Sequence, residues 1–440
     1  MNALDDLAAF ISTSEPADGA LQAKLRLHVA DTIGAWIAGL ATAEGRALVR
    51  FRSGLPTPSL FDDVALACAA TRLSEVDDIH LASMTTCGSI VIPAALTLAG
   101  MLKATREDVA AAVLGGYEAM IRLGLTIKGP DVLYRGIWPT YFGAPFGTAA
   151  VAARLLGLDA QQTGHALALA LTLAAPSVGQ HHATTTARWL SVGQAARTGL
   201  AAAYAARDGF TSDTNVLQSR LLPDVFGIEP DLMQMAGGAS PRFMEISFKP
   251  WCAARQTMPA TQALRELRDG GLAVADITAI EARVLPPHLK MVDHGVRAGD
   301  RASHLTSLPY QMAVAALAPQ ATLDVAQAPA AVSSDVQALM ARIKVTADDA
   351  LLADYPRVWA GRVVVTTASG HHERSVRDVP GDPSRPFTEA DVVAKFHRLV
   401  TPLAGAAGAA DLFERGSSVL QDGSALPAIV VMVNDPSRRP

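Results

Sequence analysis

Aromatic residues are scarce in this chain. Phenylalanine, tryptophan and tyrosine make up 5% of 440 residues, although half of all residues are apolar. Alanine supplies much of the difference. Such small side chains each bury little area, so a core must come from close backbone approach, which alanine-rich helices provide most simply. Cysteine is nearly absent: Cys68, Cys87 and Cys252 are scattered and odd in number, which gives neither a disulfide framework nor a zinc site. Positive charge is not in excess, with 37 basic against 42 acidic residues. That excludes the electrostatic footprint of a nucleic-acid partner. Long hydrophobic runs are missing too. Stretches 166–176 and 90–101 fall short of the roughly 20 residues of a membrane span, and the second contains Pro93. The opening MNALDDLAAFIST has no basic start and no apolar stretch of a secretory signal. No G-x-G-x-x-G or Walker pattern supports nucleotide binding. The expectation is a soluble, cytoplasmic protein of two or three domains, without nucleic-acid or membrane partners.

What the chain does have is helical periodicity. Leu21, Leu25, Val29, Ile33, Ile37 and Leu40 fall three or four apart, predicting one apolar stripe over 21–40. Residues 106–125 repeat the style with acidic residues in the first turn, as the helix dipole prefers. Segments 146–156, 161–173 and 194–207 follow, dominated by alanine and leucine. Near residue 245 the texture changes. Residues 277–285, 342–347 and 357–369 alternate roughly as strands do, with helical segments at 256–267 and 308–317. Gly370 and the residues after it read as a charged turn, with His371 and His372 exposed at its tip. A proline-rich connector, 378–388, leads back to helix at 389–400 and 409–413. The fold class is therefore mainly α. A large all-helical domain (1–245 plus 388–440) carries a smaller inserted α+β lid domain (246–387).

Four stretches bear a more specific pattern: SEVDDIHLASMTTCGSIVIPAAL (74–96), RGIWPTYFGAPFGTAAVAARLLGLD (135–159), TTTARWLSVGQAARTGLAAAYAARDGF (184–210) and KPWCAARQTMPA (249–260). SLPY (307–310) is a fifth. In kind, order and spacing they resemble the MmgE/PrpD family, which includes 2-methylcitrate dehydratase, cis-aconitate decarboxylase and iminodisuccinate epimerase. The resemblance implies a helical domain with an α+β lid, a homodimer, no metal and no organic cofactor. It also implies a small carboxylate-bearing substrate. This sequence departs from the family at several positions. Glu75-Val76-Asp77-Asp78-Ile79 stands where the family reads D-F-D-D-T, and Thr86-Cys87 where a His-Pro pair is usual. Trp138 precedes the second motif's proline in place of histidine. Arg188 replaces a lysine, and Ser191 a histidine. Lys249, Arg255 and Tyr310 match the family's basic and phenolic positions.

Family reactions move a proton at a carbon next to a carboxylate, on which negative charge builds. Fixed cations are worth several kcal/mol there, and a placed acid or base adds roughly 10²–10⁴-fold. Lys249, Arg188 and Arg255 are candidate cations; Arg188 can grip a carboxylate two-pronged but never deprotonates. Tyr310 can exchange a proton if a nearby cation lowers its pKa, or else satisfies a core hydrogen bond. His181 and His182, shortly before Arg188, are candidates to replace a lost histidine, or are surface residues. His80 either is oriented as a base by an aspartate of the motif or serves as its structural partner. Asp77 and Asp78 share a proton or steer the loop; being adjacent, they point opposite ways. Glu75 adds acid character, Thr86 offers a hydroxyl, and Trp138 offers an apolar face. The catalytic candidates are thus Lys249, Tyr310, His181, His182, Asp77 and His80. The substrate-binding candidates are Arg188, Arg255, Thr86, Trp138 and Glu75. The function expected is a cofactor-independent lyase of dehydratase or decarboxylase type. An isomerase or epimerase, and a retired carboxylate- or partner-binding protein, are the alternatives.

Overall fold

The computed structural model describes residues 2–14, 19–175, 185–237, 240–326 and 331–420. The described chain is mainly α-helical, with one four-stranded sheet. It divides into two compact units. One takes Met1–Gly179, Thr185–Phe248 and Thr388–Pro440; the other is chiefly Lys249–Phe387.

The helical unit is built from α1 (Gly19–Leu40), α2 (Leu60–Leu73), α3 (Gly88–Leu102), α4 (Arg106–Thr126), α5 (Pro139–Leu155), α6 (Ala160–Thr172), α7 (Ala187–Arg207) and α10 (Glu389–Ser418). The single stripe expected for α1 is too narrow a reading: every residue from His28 to Leu40 is buried. Such a helix is enclosed on all sides, so its polar residues must find partners inside. Asp31 does so with Lys395 of α10, 2.7 Å away, and the Lys395 ammonium also donates to the Val76 carbonyl. Small residues set the spacing. A Cβ on Gly39 would overlap the Ala70 carbonyl of α2, and one on Gly199 of α7 would overlap the Pro145 carbonyl of α5. Either substitution would force helices apart in a tightly packed core. In α4, one 18-residue window is long and apolar enough to cross a membrane, and 94% of it is buried inside the protein. The two C-terminal helices expected separately run on as α10, broken at Gly405 by a positive φ of 72°.

The second unit carries the sheet. Its strands are β1 (Ala279–Val284), β2 (Ile343–Ala347), β3 (Gly361–Thr367) and β4 (Gly370–Val376), in the order β2-β1-β3-β4. β1 and β2 run parallel, while β3 pairs antiparallel with both β1 and β4. Helices α8 (Met258–Asp269) and α9 (Leu308–Leu317) belong to this unit. β4 corrects the expectation of a charged turn at His371 and His372. Both lie in an edge strand, paired with Thr366 and Val365. Six of its seven residues are exposed, so no apolar alternation announces it.

Candidate functional site

The acidic motif follows the C-terminal end of α2. Arg72, in the last turn, sits 2.9 Å from Glu75 and 3.3 Å from Asp77, all three buried. Burial opposes the Arg72 charge, but Asp77, Glu75 and the nearby Tyr141 outweigh it and hold the guanidinium above its ordinary pKa. Asp78 turns elsewhere. It accepts hydrogen bonds from Tyr117 Oη (2.5 Å), His28 Nδ1 (2.8 Å) and the Gly88 amide (2.8 Å). Burial alone would raise its carboxyl pKa, yet these donors keep it below the usual range. His28 is driven the other way by burial, down to about 4 against the pull of Asp78. Its ring stacks on Phe248 at 4.0 Å. The two aspartates therefore serve different partners.

His80 lies in a tight turn closed by a bridge to Thr85. The Ser83 amide can only donate, so Nδ1, 3.1 Å away, accepts, and Nε2 carries the hydrogen toward Glu245 at 3.3 Å. The carboxylate that orients His80 is thus Glu245 and not an aspartate of the motif. That hydrogen bond, ahead of the opposing burial, lowers the Glu245 pKa. Thr86 is tied to Thr140 at the start of α5: its amide donates to Thr140 Oγ1 at 3.0 Å, and the two hydroxyls are 3.1 Å apart.

Trp138 caps α5 ahead of Pro139, where proline's missing N–H costs nothing. Its indole meets Tyr141 edge-on, with centroids 5.4 Å apart. Arg188, the second residue of α7, brings its guanidinium to 4.3 Å from the Trp138 ring and 4.7 Å from Trp189. It is 7% exposed. Among the described residues it makes no hydrogen bond and no ion pair, and its Nε is fully enclosed. Trp138 Nε1 and Tyr141 Oη are likewise buried without a partner. Of this group, Tyr141 also lines an open pocket of about 260 Å³, together with Leu173, Leu190, Ser191, Gln194 and neighbours. Cation–π contacts return about 1–2 kcal/mol each when desolvated, whereas an unpaired buried charge costs several. The arrangement therefore favours an anion beside Arg188.

The second unit holds Lys249, Arg255 and Tyr310, all in different surroundings. Lys249 is 1% exposed. Arg255 directs one nitrogen at both oxygens of buried Asp382, at 2.9 and 2.7 Å, while Nε and Nη1 have no hydrogen-bond partner. Tyr310 sits in the first turn of α9, capped by Ser307. The condition that a cation lower its pKa is not met in this unit. Burial raises it, and Asp324 and Cys252 add to the rise, so at neutral pH it is a hydroxyl donor.

Two residues not picked out from the sequence stand near it. His304 meets the Tyr310 ring edge-on at 4.7 Å. Its Nδ1 donates to the Asp300 carbonyl at 2.8 Å, leaving a buried Nε2 with no partner. Arg301, His304 and Tyr310 together line one small pocket of this unit. His304 is six residues before Tyr310, the one signal that could have drawn attention to it. Tyr141 and Arg72 were missed similarly, Tyr141 standing three residues after Trp138 and Arg72 three before Glu75. His181 and His182 lie outside the described residues. Among the described residues, no three His, Cys, Asp or Glu side chains gather as a metal site.

The helical unit thus joins Glu75 to Asp77 through Arg72, Thr86 to the start of α5, and Trp138 to Arg188. Comparison with known proteins agrees with these motifs. The MmgE/PrpD N-terminal domain model matches residues 5–222, and the MmgE/PrpD C-terminal domain model matches 251–415. Among curated relatives, a cis-aconitate decarboxylase-like protein of Aspergillus oryzae is 33% identical over 145 residues, 31% of this chain and 30% of that protein. A cis-aconitate decarboxylase of Aspergillus terreus is 31% identical over 157 residues, 34% of this chain and 31% of that protein. The chain spans under a third of the length of these relatives. With both family domains matched in order along most of its length, the chain belongs to the MmgE/PrpD family.

Proposed function

We propose that this chain is a lyase, of dehydratase or decarboxylase type, acting on a small organic acid by proton transfer at a carbon next to a carboxylate. One observation carries the reading. Arg188, at a position the family fills with lysine, is a buried cation without a counter-ion among the described residues, in contact with Trp138, whose ring neighbour Tyr141 lines a pocket. A carboxylate held by its N–H fork would receive two parallel charge-assisted hydrogen bonds. As the adjacent carbon loses a proton or a group, charge flows onto that carboxylate, and a fixed cation stabilises the transition state more than the substrate. The curated relatives are named as a cis-aconitate decarboxylase and a cis-aconitate decarboxylase-like protein, which supports an enzyme of this general type.

An isomerase of the same family is favoured by one feature. Trp138 stands where the family has a histidine, which removes an acid that a departing hydroxyl would use, whereas epimerisation needs only a base and an acid at one carbon. Incubating the full chain in deuterated water with a panel of organic acids tests both. Proton NMR should show deuterium at the carbon next to the carboxylate, with product formed by a lyase and only inverted substrate by an isomerase. Exchange and turnover should fall about 100-fold in Arg188→Ala, about 2.7 kcal/mol. Exchange equal in the two proteins would overturn the anchoring role.

A further inference from the structure

We propose that Cys252 is a modification site, a thiol that hydrogen peroxide oxidises to the sulfenic acid in the pocket it shares with Arg301, His304 and Tyr310. The proposal is independent of the Arg188 reading. The contrast among the three cysteines comes first. Cys68 and Cys87 lie in the helical unit with no exposed surface, and burial raises both thiols well above their ordinary pKa. A thiol in that state is an inert, packed hydrophobe. Cys252 belongs to the second unit, keeps 6% of its surface exposed and lines a pocket of about 30 Å³.

The surroundings of its sulfur differ as well. The buried Arg301 guanidinium directs Nη2 at Sγ from 3.9 Å, and its Nε donates to the Val325 carbonyl at 2.8 Å, which holds it in place. A fixed cation beside a sulfur favours the thiolate, the form that acts as nucleophile. Asp324 on the same wall opposes this, but it is exposed, and water screens it more than the buried guanidinium. Tyr310, protonated at neutral pH, adds no charge.

His304 is an independent sign that the pocket lacks a group. It lines the pocket and is 3% exposed. Its Nδ1 donates to the Asp300 carbonyl, so Nε2 carries a lone pair that no donor meets among the described residues. A sulfenic acid brings a donor in its S–O–H hydrogen, and its oxygen is an acceptor for Arg301. Size selects the reagent: this volume admits roughly two water-sized groups, which suits hydrogen peroxide. In the step, the thiolate sulfur attacks one peroxide oxygen, the S–O bond forms and the O–O bond breaks. Hydroxide leaves and takes up the proton that the thiol gave, as water. Sulfur is oxidised and peroxide is reduced.

The test is brief treatment of the full folded chain with hydrogen peroxide, a catalase quench, and unfolding in urea with dimedone present. Peptide mass spectrometry then reads the trapped sulfenic acid at each cysteine. Cys252 should carry about tenfold more label than Cys68 or Cys87. Arg301→Gln should slow the oxidation about tenfold, while Arg301→Lys keeps part of the rate. Equal label on the three cysteines, or none on Cys252 of the folded chain, overturns the proposal without any variant. An unchanged rate in a folded Arg301→Gln overturns it too.

Discussion

Asp78 and Arg188 are both buried charges of the helical unit, and they are treated in opposite ways. Asp78 receives three hydrogen bonds from elements far apart in sequence: His28 of α1, Tyr117 of α4 and the first amide of α3. Its charge is met by the protein itself, and the cluster fastens three helices. Arg188 lies among indoles, and among the described residues no carboxylate approaches it. Folding tolerates one such group when a ligand completes it. The contrast separates a charge that holds the scaffold from a charge that waits for substrate, although both look alike by burial.

Removing Asp78 should break the contrast from the scaffold side. Asp78→Ala leaves the Tyr117 hydroxyl, a His28 nitrogen and the Gly88 amide unsatisfied, at about 1–3 kcal/mol for each. A total loss of roughly 3–5 kcal/mol is expected in urea unfolding. His28 gives the same cluster a pH signature. It binds its proton near 6.5 when unfolded but near 4 when folded, so the unfolded chain takes up more protons between those values. Stability present above 6.5 is therefore lost as pH falls toward 4, by about 3 kcal/mol in all. Asp78, lowered in the fold, acts in the same direction further down. Unfolding curves between pH 7 and 4.5 should show this slope, and His28→Gln should flatten it.

On the binding side, Arg188→Ala should reduce turnover about 100-fold yet change unliganded stability by less than about 1 kcal/mol. The substitution removes the cation–π attraction to the two indoles, and relief of an unpaired buried charge offsets it. The smallest effect is expected for Tyr141→Phe. It removes one unpartnered hydroxyl and should weaken acid binding three- to tenfold, the scale of one hydrogen bond, with little change in melting temperature.

Much of the helical architecture was legible because buried helices here repeat leucine, isoleucine and valine at helical spacing. β4 was not, because an exposed edge strand such as GHHERSV needs no apolar face. The site was legible residue by residue and not pair by pair. Trp138 and Arg188 each stand out against the family pattern, but nothing over the 49 residues between them says that indole and guanidinium meet. His80 shows the same gap. The nearby aspartates were its obvious partners, whereas the carboxylate it reaches, Glu245, is 165 residues away. Chain folding sets such pairings, and local sequence carries no trace of them.

The central claim is that Arg188 is an anion anchor and not a packed structural cation. It is tested most directly by urea unfolding of the native chain and of Arg188→Ala, each with and without an organic acid that the native chain turns over. At about 100 times that acid's dissociation constant, the native chain should gain about 2.7 kcal/mol, and Arg188→Ala should gain almost none. An equal gain in both would contradict the account.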